Sequence, residues 1–309
     1  MRKSITLLIG CVIALGAYAQ QDAMFTHYAF NTLAVNPAYA GSRDALTVTA
    51  LHRSQWVGFD GAPTTQTLTL HTPFANDRMG VGLSVLNDKI GPLKSTSFAA
   101  DFAARIPITE KGRLAFGIKG MLNMVQGGLT DLQLDQDNDN AFSTNIQNEV
   151  LPNFGVGLYY YTTKWYAGVS VPKLIENELL TIQGVVNPSG GGEARHYFFI
   201  AGTVFNLTKN LKFRPTTLVK VTEAAPAEAD VTGMFVIQDK IELGAMYRTL
   251  DAAGLLLGYN INPQFRIGYS FDWSFTNTTF KYNSGSHEIM LRYDFIYGDQ
   301  GKIRSPRYF

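Results

Sequence analysis

The residues best suited to chemistry in this chain are carboxylates. Asp135, Asp137 and Asp139 alternate along one segment, with Asp131 just ahead of them. Calcium loops begin with oxygen ligands at alternate positions. Here the sixth position is Asn140 where the sharp turn wants glycine, and the twelfth is Ile146 where a bidentate glutamate belongs. The three are therefore a calcium candidate only by spacing, and a solvated acidic loop is the favoured reading. The histidines His27, His52, His71, His196 and His287 are scattered, without the His-x3-His or His/Cys spacing of a zinc site, and are assigned structural roles. His287 and Glu288 are adjacent, so on a strand they point to opposite faces. Neither a phosphate-cradling Gly-x4-Gly-Lys-Ser/Thr nor a dinucleotide Gly-x-Gly-x-x-Gly occurs, and Gly190-Gly191-Gly192 sits in a Pro- and Ser-containing loop. No local motif argues for catalysis, so no enzymatic activity and no cofactor are expected.

A second set of polar residues recurs at alternate positions inside apolar segments: Asp101, Arg105, Lys119, Asn123, Glu242, Arg248, Arg266, Asp272, Glu288, Arg292 and Asp294. Such spacing needs strands to carry it. In 264–274, Phe265, Ile267, Tyr269, Phe271 and Trp273 share one face, while Arg266, Gly268, Ser270, Asp272 and Ser274 share the other. Segments 151–162 and 285–295 alternate in the same way. About fourteen segments of this kind run from 45–56 to 285–295, each long enough to cross a bilayer at a tilt. Connections after even-numbered segments are short, whereas those after odd-numbered ones are mostly longer, as at 57–64, 128–150, 175–195 and 275–284. That asymmetry predicts an all-β, antiparallel, up-and-down transmembrane β-barrel with short periplasmic turns; a Greek-key sandwich has no reason to keep it. The recurrent charges then face the lumen. Because both signs occur together, the lumen is expected to be salt-bridged and filled rather than a filter of one sign.

Composition agrees with this. The formal net charge is +1, which leaves no electrostatic footprint for nucleic acid. Mean hydropathy is −0.02, too polar for a helical membrane bundle, yet Phe, Tyr and Gly are abundant. Residues 1–19 read as a secretory signal: Arg2 and Lys3, an apolar run, then Ala17-Tyr18-Ala19. The alternative is a lipoprotein signal at Leu8-Ile9-Gly10-Cys11, which would strand apolar residues in the mature chain. Cleavage after Ala19 leaves no cysteine, which excludes disulfides and thiol catalysis. Residues 20–44 lack a sustained period and carry aromatics, so they are expected to form a short irregular periplasmic segment ahead of the barrel at 45–295. Residues 296–309 are expected to be a periplasmic tail.

The stretch 36–63 contains two motifs. Asn36-Pro37-Ala38-Tyr39-Ala40-Gly41 is placed at the periplasmic rim as a turn, and Arg53-x-Gln55-Trp56-Val57-Gly58 with Gly61-Ala62-Pro63 at the outer rim, where Trp56 suits the headgroup layer. Together with Gln21-Asp22, Gln66, the terminal strand at 287–295 and the ending Pro306-Arg307-Tyr308-Phe309, these residues resemble the PorP/SprF family, outer-membrane barrels of the type IX secretion system and gliding machinery of Bacteroidetes. Ala23 departs from the Pro expected after Gln-Asp. The resemblance marks Asn36, Pro37, Tyr39, Gly41, Arg53, Gln55, Trp56, Gly58, Gly61 and Pro63 as architectural signatures. It implies a non-enzymatic part in secretion at the cell outer membrane, supporting export or surface attachment of cargo with a C-terminal signal. The partners implied are outer-membrane lipid, secreted cargo, other secretion components and a periplasmic peptidoglycan-linked protein. A passive diffusion or uptake channel is the alternative. The lead-in at 20–40 is expected either to dock on a periplasmic partner or tuck into the barrel mouth, or simply to pack under the rim.

Overall fold

The computed structural model describes residues 23–74, 77–130, 145–177, 181–182, 185–186, 193–223, 225–249, 251–275 and 284–296. The signal at 1–19, the acidic residues Asp135, Asp137 and Asp139, the glycine run at 190–192 and nearly all of the C-terminal tail lie outside them. Fourteen antiparallel strands form one closed sheet: β1 (Leu46–Ser54), β2 (Thr64–Phe74), β3 (Met79–Ile90), β4 (Leu93–Pro107), β5 (Arg113–Gly127), β6 (Ile146–Tyr161), β7 (Trp165–Val171), β8 (His196–Thr203), β9 (Leu211–Thr222), β10 (Ala225–Ile237), β11 (Ile241–Arg248), β12 (Ala252–Asn260), β13 (Phe265–Ser274) and β14 (Ser286–Phe295). Each pairs with its sequence neighbours, and β1 pairs with β14 from Leu46↔Phe295 to Ser54↔His287, so the sheet has no free edge.

Strand positions follow the alternation, with two instructive differences. β6 begins at Ile146 rather than 151, because the polar residues Gln147, Asn148 and Glu149 mask its pattern; a register irregularity opposite Val125–Gly127 and a positive φ of 46° at Asn148 mark a bulge there. β7 stops at Val171, where Pro172 has no N–H to continue the ladder.

Outward side chains are apolar along the wall: Phe154, Val156 and Leu158 on β6 and Leu255 and Leu257 on β12 stand exposed, Leu255 at 63%. A continuous apolar exterior of this kind requires lipid. Trp165 opens β7 at one end of the barrel and Trp273 nearly closes β13 at the other, the positions of interfacial aromatics. The longer connections, 55–63, 128–145, 172–195 and 275–285, all lie at the Trp273 end, which is accordingly the extracellular one.

Residues 23–44 are not beneath the barrel. They fold back into it, as a four-residue helix α1 (Thr32–Val35) and a 3-10 turn (Pro37–Tyr39) joined by turns. Of the placements expected for the lead-in, it takes the one inside the barrel rather than beneath the rim, and it reaches deeper than the mouth, since Phe25, Tyr28, Phe30 and Leu33 are all buried. The physical reason is volume. An eight-stranded barrel can be filled by its own inward side chains, but a fourteen-stranded one cannot, and the lead-in aromatics supply what the wall lacks.

Candidate functional site in the barrel lumen

The plug meets the wall at three levels, which the strand registers set. Arg53 stands opposite Glu288, Thr49 opposite Arg292 and Thr47 opposite Asp294, from the extracellular toward the periplasmic end. At the first level, the Thr26 N–H donates to Glu288 Oε2 (2.9 Å) and the His27 N–H to Glu288 Oε1 (2.7 Å). His27 Nδ1 lies 2.7 Å from the same Oε1. Arg53 Nη1 donates to Asp272 Oδ2 (2.6 Å), Thr26 Oγ1 (2.8 Å) and Glu288 Oε2 (3.3 Å). All of these groups are buried, so each charge needs the partners it has.

At the second level Phe30 is the hub. Its ring lies under three guanidinium groups, those of Arg214, Arg266 and Arg292, at 4.7, 4.8 and 5.1 Å from the centroid. Its carbonyl accepts from Arg292 Nη2. Glu242 balances two of the three, bonding Arg214 Nη2 (2.7 Å) and Arg266 Nη2 (2.9 Å). Asn31 bridges to Thr67 and Thr69 on β2. On the opposite side Lys119 Nζ donates to the carbonyls of Leu33 and Ala34, which so short a helix leaves without internal partners, and lies 3.4 Å from Asp101.

The third level holds the Asn36–Gly41 motif. Asn36 caps the 3-10 turn through Oδ1 to the Ala38 N–H (2.9 Å) while its Nδ2 donates to the Leu158 carbonyl (3.0 Å). Tyr39 packs edge-on against Tyr159 and His71. A Cβ on Gly117 would overlap the backbone of Ala38, and one on Gly157 would overlap the Asn36 side chain, so the wall is glycine where the plug's backbone lies closest. Gly41 takes a φ of 71°; its N–H donates to His71 Nδ1 and its carbonyl accepts from Arg105 Nη1 (2.6 Å). Arg43 then forks onto Asp294 (2.7 and 3.3 Å). Burial alone would pull this guanidinium's pKa down, but the carboxylate beside it outweighs that and holds it above its ordinary value.

Asn36, Pro37 and Tyr39 lie inside the lumen as the lower half of the plug, whereas Gly41 sits at the periplasmic rim as expected, against Pro73 and Gly80 beside the β2–β3 turn. Gln55, Trp56, Gly58, Gly61 and Pro63 form the β1–β2 loop at the extracellular end. There the Gln55 N–H bonds the Pro63 carbonyl, Trp56 takes a φ of 46°, and the Gly61 carbonyl receives the Gly91 N–H. Asp101, Arg105, Lys119, Glu242, Arg248, Asp272, Glu288, Arg292 and Asp294 are buried in the lumen, and Arg266 nearly so. They are shared among several ion pairs: Arg248, for example, pairs with Asp230 (2.8 and 2.9 Å), while Arg53 pairs with Asp272 and Glu288.

Thr26, His27, Phe30, Arg43, Arg214 and Asp230 complete these networks and were not foreseen as site residues. Arg214 shares parity with Thr216, Leu218 and Lys220 on β9, a signal that was there to read. The plug residues carry no period at all. Among the described residues, no three His, Cys, Asp or Glu side chains group as metal ligands. The arrangement holds a polypeptide segment.

Barrels of similar fold include the outer membrane protein Omp33 of Acinetobacter baumannii (12% identity, 83% of this chain and 100% of that chain, TM-score 0.47) and a Pseudomonas aeruginosa FadL homologue (14%, 92% and 97%, 0.46). The CymD monoaromatic hydrocarbon channel is another (10%, 86% and 99%, 0.47). No curated protein matches the sequence. The family model described as type IX secretion system membrane protein PorP/SprF matches residues 17–293, nearly the whole chain. The chain therefore belongs to the PorP/SprF family of type IX secretion system membrane proteins.

Proposed function

We propose that this protein is a non-enzymatic, plugged barrel of the outer membrane that supports the export or surface attachment of type IX cargo carrying a C-terminal signal. Family membership supports the secretion setting. The single observation that carries the rest is the occupied lumen: residues 23–44 are bonded to the wall at three levels and leave the barrel to act as a docking body in the membrane. Cargo and other secretion components, with a periplasmic peptidoglycan-linked protein among them, are the partners of this reading, and residues 1–19 are the signal that delivers the chain.

The diffusion-channel reading draws on the polar inward faces. The plug opposes it, since the inward charges are spent on holding a segment of the same chain. Deleting the gene and surveying secreted and surface proteins tests the proposal. Loss or mislocalisation of at least one C-terminal-signal cargo is expected; unchanged export and display of all of them would sink it. A steady open conductance of the intact purified protein in planar bilayers would favour the channel instead.

A further inference from the structure

The plug has a direction. Along β14 its contacts descend in order: Thr26 and His27 on Glu288, Phe30 on Arg292, Arg43 on Asp294. β2 gives the same order independently. Asn31 bonds Thr69, which stands opposite Thr49, and Gly41 bonds His71, which stands opposite Thr47. Read backward from β1, the chain therefore leaves the periplasmic end at Arg43 and climbs the lumen, reaching the Arg53–Glu288 level at Thr26. That level lies one residue below the extracellular end of β1. Beneath it the lumen is taken up by residues 27–43, whose side chains are buried from His27 through Leu33. Ala23, by contrast, is partly exposed. The way back to the periplasm is closed by the plug itself and the way outward is short.

We infer that the amino-terminal end of the plug, Ala23 to Thr26, opens to the extracellular mouth, on the side of the loop at 55–63 with its exposed Val57 and Phe59. A polypeptide at the cell surface is then the partner within reach of this end, and a periplasmic protein is not. This deepens the proposed function, since it puts any contact with the lead-in on the side where exported cargo emerges. The topology itself stands or falls without reference to cargo.

An epitope inserted between Asp22 and Ala23 tests it, with matching insertions at Asp60 in the outer loop and Lys111 in the β4–β5 turn. On intact cells, antibody is expected to bind the Ala23 and Asp60 insertions, and the Lys111 insertion only after the outer membrane is permeabilised. Binding at Ala23 only after permeabilisation, or in neither state with the folded barrel present, overturns the inference. Should the insertion block assembly, Ala23→Cys decides. Labelling by a membrane-impermeant maleimide on intact cells, as for Asp60→Cys, supports the topology; labelling only under the conditions that expose Lys111→Cys refutes it. Cargo secretion measured in the same strains separates failure of the topology from failure of the secretion role.

Discussion

The two halves of the plug are held by different physics. Residues 23–35 are gripped by charge: Arg53, Glu288 and Asp272 at one level, Arg292 and Lys119 at the next, each reaching in to bond a backbone group or a short side chain. Residues 36–40 are gripped by shape, with a proline-started turn laid against Gly117 and Gly157, and with Ala103 and Ala115 fully buried nearby in the same cluster; below them Arg105 on the Gly41 carbonyl and Arg43 on Asp294 tie the plug by charge again. The difference teaches what each half tolerates. A charge network accepts small changes of side-chain size but not the loss of a partner, whereas a close-packed bed accepts neutral changes elsewhere but no added atoms.

Removing one half and keeping the other should give the largest effect. Deletion of 23–35 is expected to leave the barrel inserted and to convert a closed protein into one with steady conductance in planar bilayers. Were conductance to stay at baseline, 36–44 alone would be the seal, and the charged half would be dispensable for closure. Next in size, Gly117→Val drives a branched side chain into the backbone of Ala38. A loss of roughly 3 kcal/mol in denaturant unfolding is expected, with the lower half displaced and new protease cleavage after Tyr39 or Arg43. An unchanged midpoint would show that the bed is looser than the geometry states.

Glu288→Gln attacks the upper half without changing its shape. It removes the charge that Arg53 and His27 share, and should cost about 3 kcal/mol, as breaking a buried pair does. It should also raise exchange of the Thr26 and His27 amide hydrogens. No loss from Glu288→Gln beside a clear loss from Glu288→Ala would mean that shape, not charge, matters there too. Smallest is a control outside the plug: Asp239 pairs with Lys212 but is largely exposed at a periplasmic turn, so Asp239→Asn should change stability by less than about 0.5 kcal/mol. A larger loss would undercut the claim that burial in the lumen is what makes the charges count.

Much of the barrel was legible because its cause is local. Alternation with period 2 records, residue by residue, which side meets lipid and which does not, and the loop asymmetry records which end meets the cell surface. Phe265 to Ser274 could be assigned to faces from the sequence alone, and the inward charges with them. Where polarity blurred the period, as at Gln147–Glu149, the start of the strand was missed.

By itself, then, the sequence determined the barrel, its strand count, its polarity, and a lumen lined with charges of both signs. Tertiary structure alone decided what those charges hold. Asn36 and Leu158 are 122 positions apart, and His27 and Glu288 are 261 apart. The lead-in has no period of its own, because it packs against many strands at once rather than along one. Only closure of the sheet creates the cavity that makes Phe30 a core residue and turns a segment that looked periplasmic into the centre of the molecule.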